Sequence, residues 1–102
     1  MAEINSSFYR PHRRGTYERW SSITLGAFRF AVKLPKTITH EQRLIDTDPL
    51  LDAFVAQAAG LEGKFAVGLV QLPPSLIFDS ETATRFFNSL LRRLPDACKG
   101  GL

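Results

Sequence analysis

Three apolar runs, each closed by a short set of polar residues and separated by helix-like stretches, constrain this chain more than any other feature. The runs are Glu3-Ile4-Asn5-Ser6-Ser7-Phe8-Tyr9, Phe28-Arg29-Phe30-Ala31-Val32-Lys33-Leu34-Pro35 and Phe65-Ala66-Val67-Gly68-Leu69-Val70-Gln71-Leu72-Pro73-Pro74. Strand, polar tip, helix, strand is how α/β proteins bring reactive groups to the carboxyl ends of a parallel sheet. The pattern locates a site without naming a reaction.

The second run alternates. Phe28, Phe30, Val32 and Leu34 fall on one face, Arg29, Ala31 and Lys33 on the other, so the large apolar face is expected under helices and Lys33 at the carboxyl end of a groove side. Pro35 has no N–H to donate and stops the ladder. The third run is nearly continuous in its apolar character, which predicts a strand buried on both faces and ended by Pro73-Pro74. Between the first two runs, Thr16 is expected to cap a helix over residues 16–23 carrying Tyr17, Trp20 and Ile23, with Gly26 turning the chain into the second strand. Residues 36–48 read as a polar connection. Asp48 as N-cap with Pro49 at the first helical position opens a helix over residues 49–59, and Gly60 is its expected C-cap. Asp79 or Ser80 caps the last helix, residues 80–94. Ala83, Phe86, Phe87, Leu90, Leu91 and Leu94 recur there at helical spacing, and Arg85, Arg92 and Arg93 take the wet side and last turn. Residues 1–94 form one domain in this reading, and residues 95–102 a disordered tail.

With 102 residues there is room for a single domain with a modest core, and a hydrophobic content of 44% with eight Phe suits a packed chain rather than a disordered one. No apolar stretch approaches a membrane span and no signal-peptide core opens the chain, so the expected location is cytoplasmic, with no membrane partner. The single cysteine, Cys98, rules out an internal disulfide and is expected to be idle. The net charge of +3 conceals a segregation: acidic residues concentrate in 44–84 and basic ones lie on either side. The only basic cluster is Arg10, His12, Arg13 and Arg14. A solvated loop is the favoured explanation of it, a phosphate-facing loop the sharper one. A nucleic-acid partner is the least favoured, because a sustained basic stripe with aromatics is missing.

Period-two geometry makes the most specific statement about function. Glu3 and Asn5 share a face of the first strand, Lys33 lies on the non-Phe face of the second, and Gln71 follows Val67 and Leu69 on the third. If the strands are parallel neighbours, these four polar side chains converge at one end of the sheet, where each needs a partner. Plain structural roles compete for each residue. Glu3 and Lys33 suit a buried ion pair, Asn5 a turn cap, and Gln71 the backbone groups beside the prolines. For the set, a site is favoured. His40, after Thr37-Ile38-Thr39, is the residue suited to acid–base work at neutral pH, although a loop His is more often an ordinary surface group. Ser6, Ser7, Tyr9 and Arg10 lie where a ligand's hydroxyls or anionic group would be bound. There is no G-x-S-x-G, glycine-rich phosphate loop, paired-His zinc spacing or calcium loop, so no metal and no cofactor is implied.

The motifs Glu3-Ile4-Asn5-Ser6-Ser7-Phe8-Tyr9-Arg10, Phe28-Arg29-Phe30-Ala31-Val32-Lys33 with Pro35, Ile38-Thr39-His40, and Val70-Gln71-Leu72-Pro73-Pro74 resemble, in order and spacing, the domain of unknown function 72 family, also called YecE-like. The resemblance covers residues 3–94 or so. It implies a (β/α)₈ TIM barrel in the longer family members, with the present runs as strands two, three and four, and it points to Glu3, Asn5, Tyr9, Lys33, His40 and Gln71. It supplies no reaction. The first strand and the later ones are missing, and three strands cannot close a barrel, so the chain is expected to be a fragment. Three functions follow as expectations. The first is a parent enzyme acting on a small polar or phosphorylated metabolite, with Glu3 or His40 moving protons and Lys33 stabilising negative charge. The second is a non-catalytic module that self-associates across open edges. The third is a nucleic-acid binder using Arg10–Arg14.

Overall fold

The computed structural model describes residues 1–74 and 79–94. Three strands, β1 (Ala2–Ile4), β2 (Phe30–Lys33) and β3 (Phe65–Leu69), form one parallel sheet in the order β1-β2-β3. Four helices accompany them among the described residues: α1 (Ser6–Tyr9), α2 (Arg14–Ser22), α3 (Asp48–Ala58) and α4 (Ser80–Arg93). A π-helical turn spans Thr37–Glu41 and a 3₁₀ segment spans Ala59–Lys64. The α/β class and the parallel sheet agree with expectation.

Register sets the faces. Glu3 lies opposite Ala31, Ala31 opposite Val67, and Lys33 opposite Leu69. Alternation therefore puts Glu3, Ala31, Lys33, Val67 and Leu69 on one face. Phe30 pairs with Phe65 and Ala31 with Val67, which leaves Ala66 as an extra residue in β3. The opposite face carries Ile4, Phe30, Val32, Leu34 and Phe65 into a core shared with Tyr17, Leu51, Phe54, Ala58, Leu61, Phe86 and Leu90. Ile38 and Leu44 are buried in the same core, so residues 36–48 are more than a polar connection.

Several local expectations are corrected. The first strand stops at Ile4, so Asn5, expected on it beside Glu3, lies just past its end. From Ser6 the chain winds into α1, where the Phe8 amide donates to Asn5 O (3.0 Å) and the Arg10 amide to Ser6 O (3.2 Å). β2 ends at Lys33 before Pro35, so a longer first strand would have no ladder to join. Helix α2 begins at Arg14, two residues before Thr16, because the Thr16 amide already donates to Arg13 O. Ile23 lies beyond the helix and is exposed, not part of its apolar face. Asp48 is the first residue of α3 and Thr47 its N-cap, without a side-chain cap bond. Gly60 is no C-cap: α3 passes into the 3₁₀ segment at Ala59, and among the described residues no glycine has a positive φ. β3 is buried fully only at Phe65; Ala66 to Leu69 are half-buried, as suits an edge strand. At α4 the expectation holds. Asp79 Oδ1 accepts from the Glu81 amide (3.2 Å) and Oδ2 from the Thr82 hydroxyl (2.6 Å), and these bonds, the Thr82 one first, hold the carboxyl below its usual range. Arg93 is not simply on the wet side. Its Nε donates to Asp52 Oδ1 (2.6 Å) and its guanidinium reaches Asp48 (3.7 Å), tying α4 to α3. Cys98 and the proposed tail lie outside the described residues.

Two polar groups fasten α2. The Lys64 ammonium donates to Thr24 O and Thr24 Oγ1 (both 2.9 Å) and to Ser21 O, beside the helix's carboxyl end, where a cation is favourable. The Tyr17 hydroxyl bonds Ser7 from a fully buried position, and burial pushes its phenol up to about 12, with the Ser7 bond acting in the opposite direction. A phenol raised from 10.0 to about 12 by folding favours the protonated native state, so its contribution is complete below pH 10.0 and is lost as pH rises toward about 12. Denaturation midpoints followed over that window are expected to fall in the parent chain and to fall less steeply in Tyr17→Phe. Parallel declines in the two proteins would exclude Tyr17 as the cause.

Candidate functional site

The carboxyl ends of the three strands lie together because the sheet is parallel, and α1 folds over them. Ser7 anchors that arrangement. Its buried hydroxyl lies 2.6 Å from Lys33 O and 3.2 Å from Ile4 O, joining the end of β1 to the end of β2. Ser7 is therefore spent on structure and does not face a ligand, contrary to expectation. The next residue, Phe8, is brought to the Lys33 side chain, whose Nζ stands 4.9 Å from the ring centroid. Such cation–π contacts are worth roughly 0.5–2 kcal/mol according to exposure. The His40 ring meets the same Phe8 edge-to-face at 5.0 Å, and Tyr9 does so at 5.1 Å. His40 is half-buried on the π-helical turn, and its Nδ1 lies 2.8 Å from the hydroxyl of the fully buried Thr39.

Of the residues singled out in the sequence, Lys33, His40 and Tyr9 thus meet around one ring. Phe8, which builds that meeting point, carried no signal beyond being the apolar member of a polar run. Glu3 and Asn5 are exposed and make no side-chain hydrogen bond or ion pair among the described residues. The expected Glu3–Lys33 ion pair is not formed, because the register sets Glu3 against Ala31 and leaves Lys33 two residues further along the sheet. Both nevertheless fall on the same face. Gln71 and Arg10 are exposed and engage none of these groups. Two grooves along α4, one bordered by Ser80, Glu81 and Asn88 and the other by Asp46, Asp48 and Ser89, take in none of these side chains.

Ser6 makes a separate arrangement. Its Oγ lies 2.7 Å from Nε2 of His12, and the His12 ring is held edge-to-face by Tyr17 (5.8 Å) and Trp20 (5.3 Å). Within the basic cluster, Arg14 pairs with Glu18 at 3.7 Å and reaches Ala56 O at 3.4 Å. The sequence places His12 in that cluster, as part of a solvated loop, whereas the residue is half-buried. The signal that places it otherwise is the i, i+3 pair Tyr17 and Trp20, which builds an aromatic shelf on α2. Among the described residues no group of three or more His, Cys, Asp or Glu side chains is placed to hold a metal ion, and no helix is long and apolar enough to cross a membrane.

Comparison with known proteins gives a consistent result. The family model described as "Protein of unknown function DUF72" matches residues 1–99. The UPF0759 protein YecE of Escherichia coli strain K12 is 31% identical over 71 residues, which is 70% of this chain and 26% of that protein. The UPF0759 protein YecE of Escherichia coli O157:H7 is similar to the same degree. The matched stretch thus spans about a quarter of the length of these curated relatives. No solved structure matches the chain.

Proposed function

We propose, from the premise that this chain belongs to the DUF72 family of proteins of unknown function, that it forms three consecutive β/α units of a TIM barrel. The parent enzyme would act on a small polar or phosphorylated metabolite by acid–base chemistry. The parallel β1-β2-β3 order with helical crossovers supports the barrel reading, as does the greater length of the relatives. One observation carries the functional reading: the Lys33 ammonium and the His40 ring are held on the same Phe8 side chain at the carboxyl ends of the strands. In this reading Lys33 binds an anionic group or stabilises developing negative charge. His40, with Glu3 as the second candidate, exchanges protons with the ligand. Asn5, Ser6, Tyr9, Arg10 and Gln71 bind the rest of the molecule. No cofactor or metal enters the scheme, and the site operates in the cytoplasm.

A thermal-shift screen of the chain against polar and phosphorylated metabolites, with inorganic phosphate included, tests this. A ligand at about a hundred times its Kd stabilises by about 2.7 kcal/mol, a rise of roughly 10–20 °C for a domain of this size. Lys33→Met and His40→Asn are expected to abolish the rise while the unliganded melting temperature stays close to that of the parent. A screen without a hit, or a hit indifferent to both substitutions, removes the proposal.

Among the described residues no strand pairs with the outer edge of β1 or β3; that and the half-buried face of β3 favour a second reading, a non-catalytic module that self-associates. Sedimentation at tens of micromolar (an order-of-magnitude working range) is expected to show dimers or larger species. A compact monomer with a sharp cooperative melt eliminates it.

A further inference from the structure

Ser6 and His12 lie six residues apart in sequence, on either side of a turn at the carboxyl end of β1, yet Ser6 Oγ approaches His12 Nε2 to 2.7 Å. Ser6 is exposed and therefore open to a substrate, while His12 is partly covered. The His12 ring is fixed by the edges of Tyr17 and Trp20, and Tyr17 is itself anchored in the core and bonded to Ser7. A short hydroxyl–imidazole contact, an exposed hydroxyl and a ring held in place are what activation of a serine nucleophile requires. We propose that Ser6 and His12 form a nucleophile–base pair that accepts acyl groups from small activated esters. The pair shares Ser6 with the metabolite-site reading but uses neither Lys33 nor His40, so the loss of either reading leaves the other standing.

The step needs the tautomer with the proton on Nδ1, so that Nε2 accepts. Ser6 Oγ attacks the acyl carbon and its proton passes to His12 Nε2. The bond from the acyl carbon to the leaving alcohol breaks, and the alcohol departs with that proton. A water then attacks the Ser6 ester and gives a proton to His12. The carboxylic acid is released as Ser6 Oγ recovers the proton. No oxidant, reductant or metal is consumed. The absence of any G-x-S-x-G elbow is why sequence motifs do not find this pair.

The test is covalent labelling of the chain with an aryl sulfonyl fluoride, read by peptide mass spectrometry, alongside acetyl release from 4-nitrophenyl acetate. Ser22 and Ser80 serve as internal controls, being exposed and unpaired with any histidine. The expected result is selective modification of Ser6, with the rate falling by about a hundredfold or more in His12→Asn, the range that a positioned base contributes. Ser6→Ala should remove both the label and the acyl-enzyme. Its melting temperature should match the parent, because the Ser6 side chain lies on the surface. Ser6 labelling no faster than Ser22 and Ser80 overturns the proposal, as does a rate that is unchanged in a folded His12→Asn protein.

Discussion

Phe54→Ala is expected to destabilise the chain by about 3–5 kcal/mol, a large share of the roughly 5–15 kcal/mol that holds a domain of this size together. Phe54 is 2% exposed on α3 and meets the Phe65 ring edge-to-face at 6.3 Å, where β3 enters the core. Truncation removes the transfer free energy of the ring and leaves a hole between α3 and the sheet that neither side can close without losing other contacts. Urea titration should move the midpoint down sharply while the slope is kept. Leu25→Ala is the control. Leu25 is 83% exposed, so its loss should stay within about 0.5 kcal/mol of the parent. Equal effects from the two substitutions would mean that α3 is not packed on the sheet.

Gly60→Ala is the second substitution expected to cost heavily, about 1–3 kcal/mol, by overpacking. A methyl group built there stands 2.6 Å from Arg14 O, a backbone atom at the start of α2, and 3.1 Å from the Arg14 and Glu18 side chains. The side chains can move aside, but the carbonyl can yield only if α2 shifts off the 3₁₀ segment. Gly60→Asn separates this cause from a C-cap role. A left-handed cap tolerates Asn, whereas a close backbone approach rejects it at least as strongly as Ala. Gly63→Ala has open space around it and should be neutral or add about 0.4–1 kcal/mol of stability by restricting the unfolded chain. Thermal unfolding of the three variants decides the matter, and a Gly60→Asn protein as stable as the parent would return Gly60 to a capping role.

Features carried by local periodicity were legible in the sequence. Phe86 and Leu90 recur at helical spacing and both are buried on α4, while Asp79 caps that helix with its own carboxylate. The alternation of Phe30, Val32 and Leu34 likewise identified the core face of β2. The first strand, which pairs with β2, ends at Ile4, one residue earlier than the Glu3–Asn5 alternation predicts. A strand's end depends on where its neighbour's ladder stops, and Lys33 and Pro35 set that limit from a distant part of the chain. The same dependence explains the site. Composition and spacing picked out Glu3, Lys33 and His40. Whether Glu3 reaches Lys33 is a matter of register, and register set Glu3 beside Ala31.

The amino-acid sequence by itself determined the α/β class, the helix α4 and the polar character of the strand ends, because each follows from residue types at short spacing, and it carried the family through motifs matched in order along the chain. Tertiary structure alone decided that Phe8 gathers Lys33 and His40, that Ser7 locks β1 to β2, and that His12 turns from the basic loop onto Ser6. Those contacts join segments brought together by the parallel sheet and by the Tyr17–Trp20 shelf. Side-chain contacts across packed elements depend on three-dimensional register and packing, which residue periodicity along the chain does not encode.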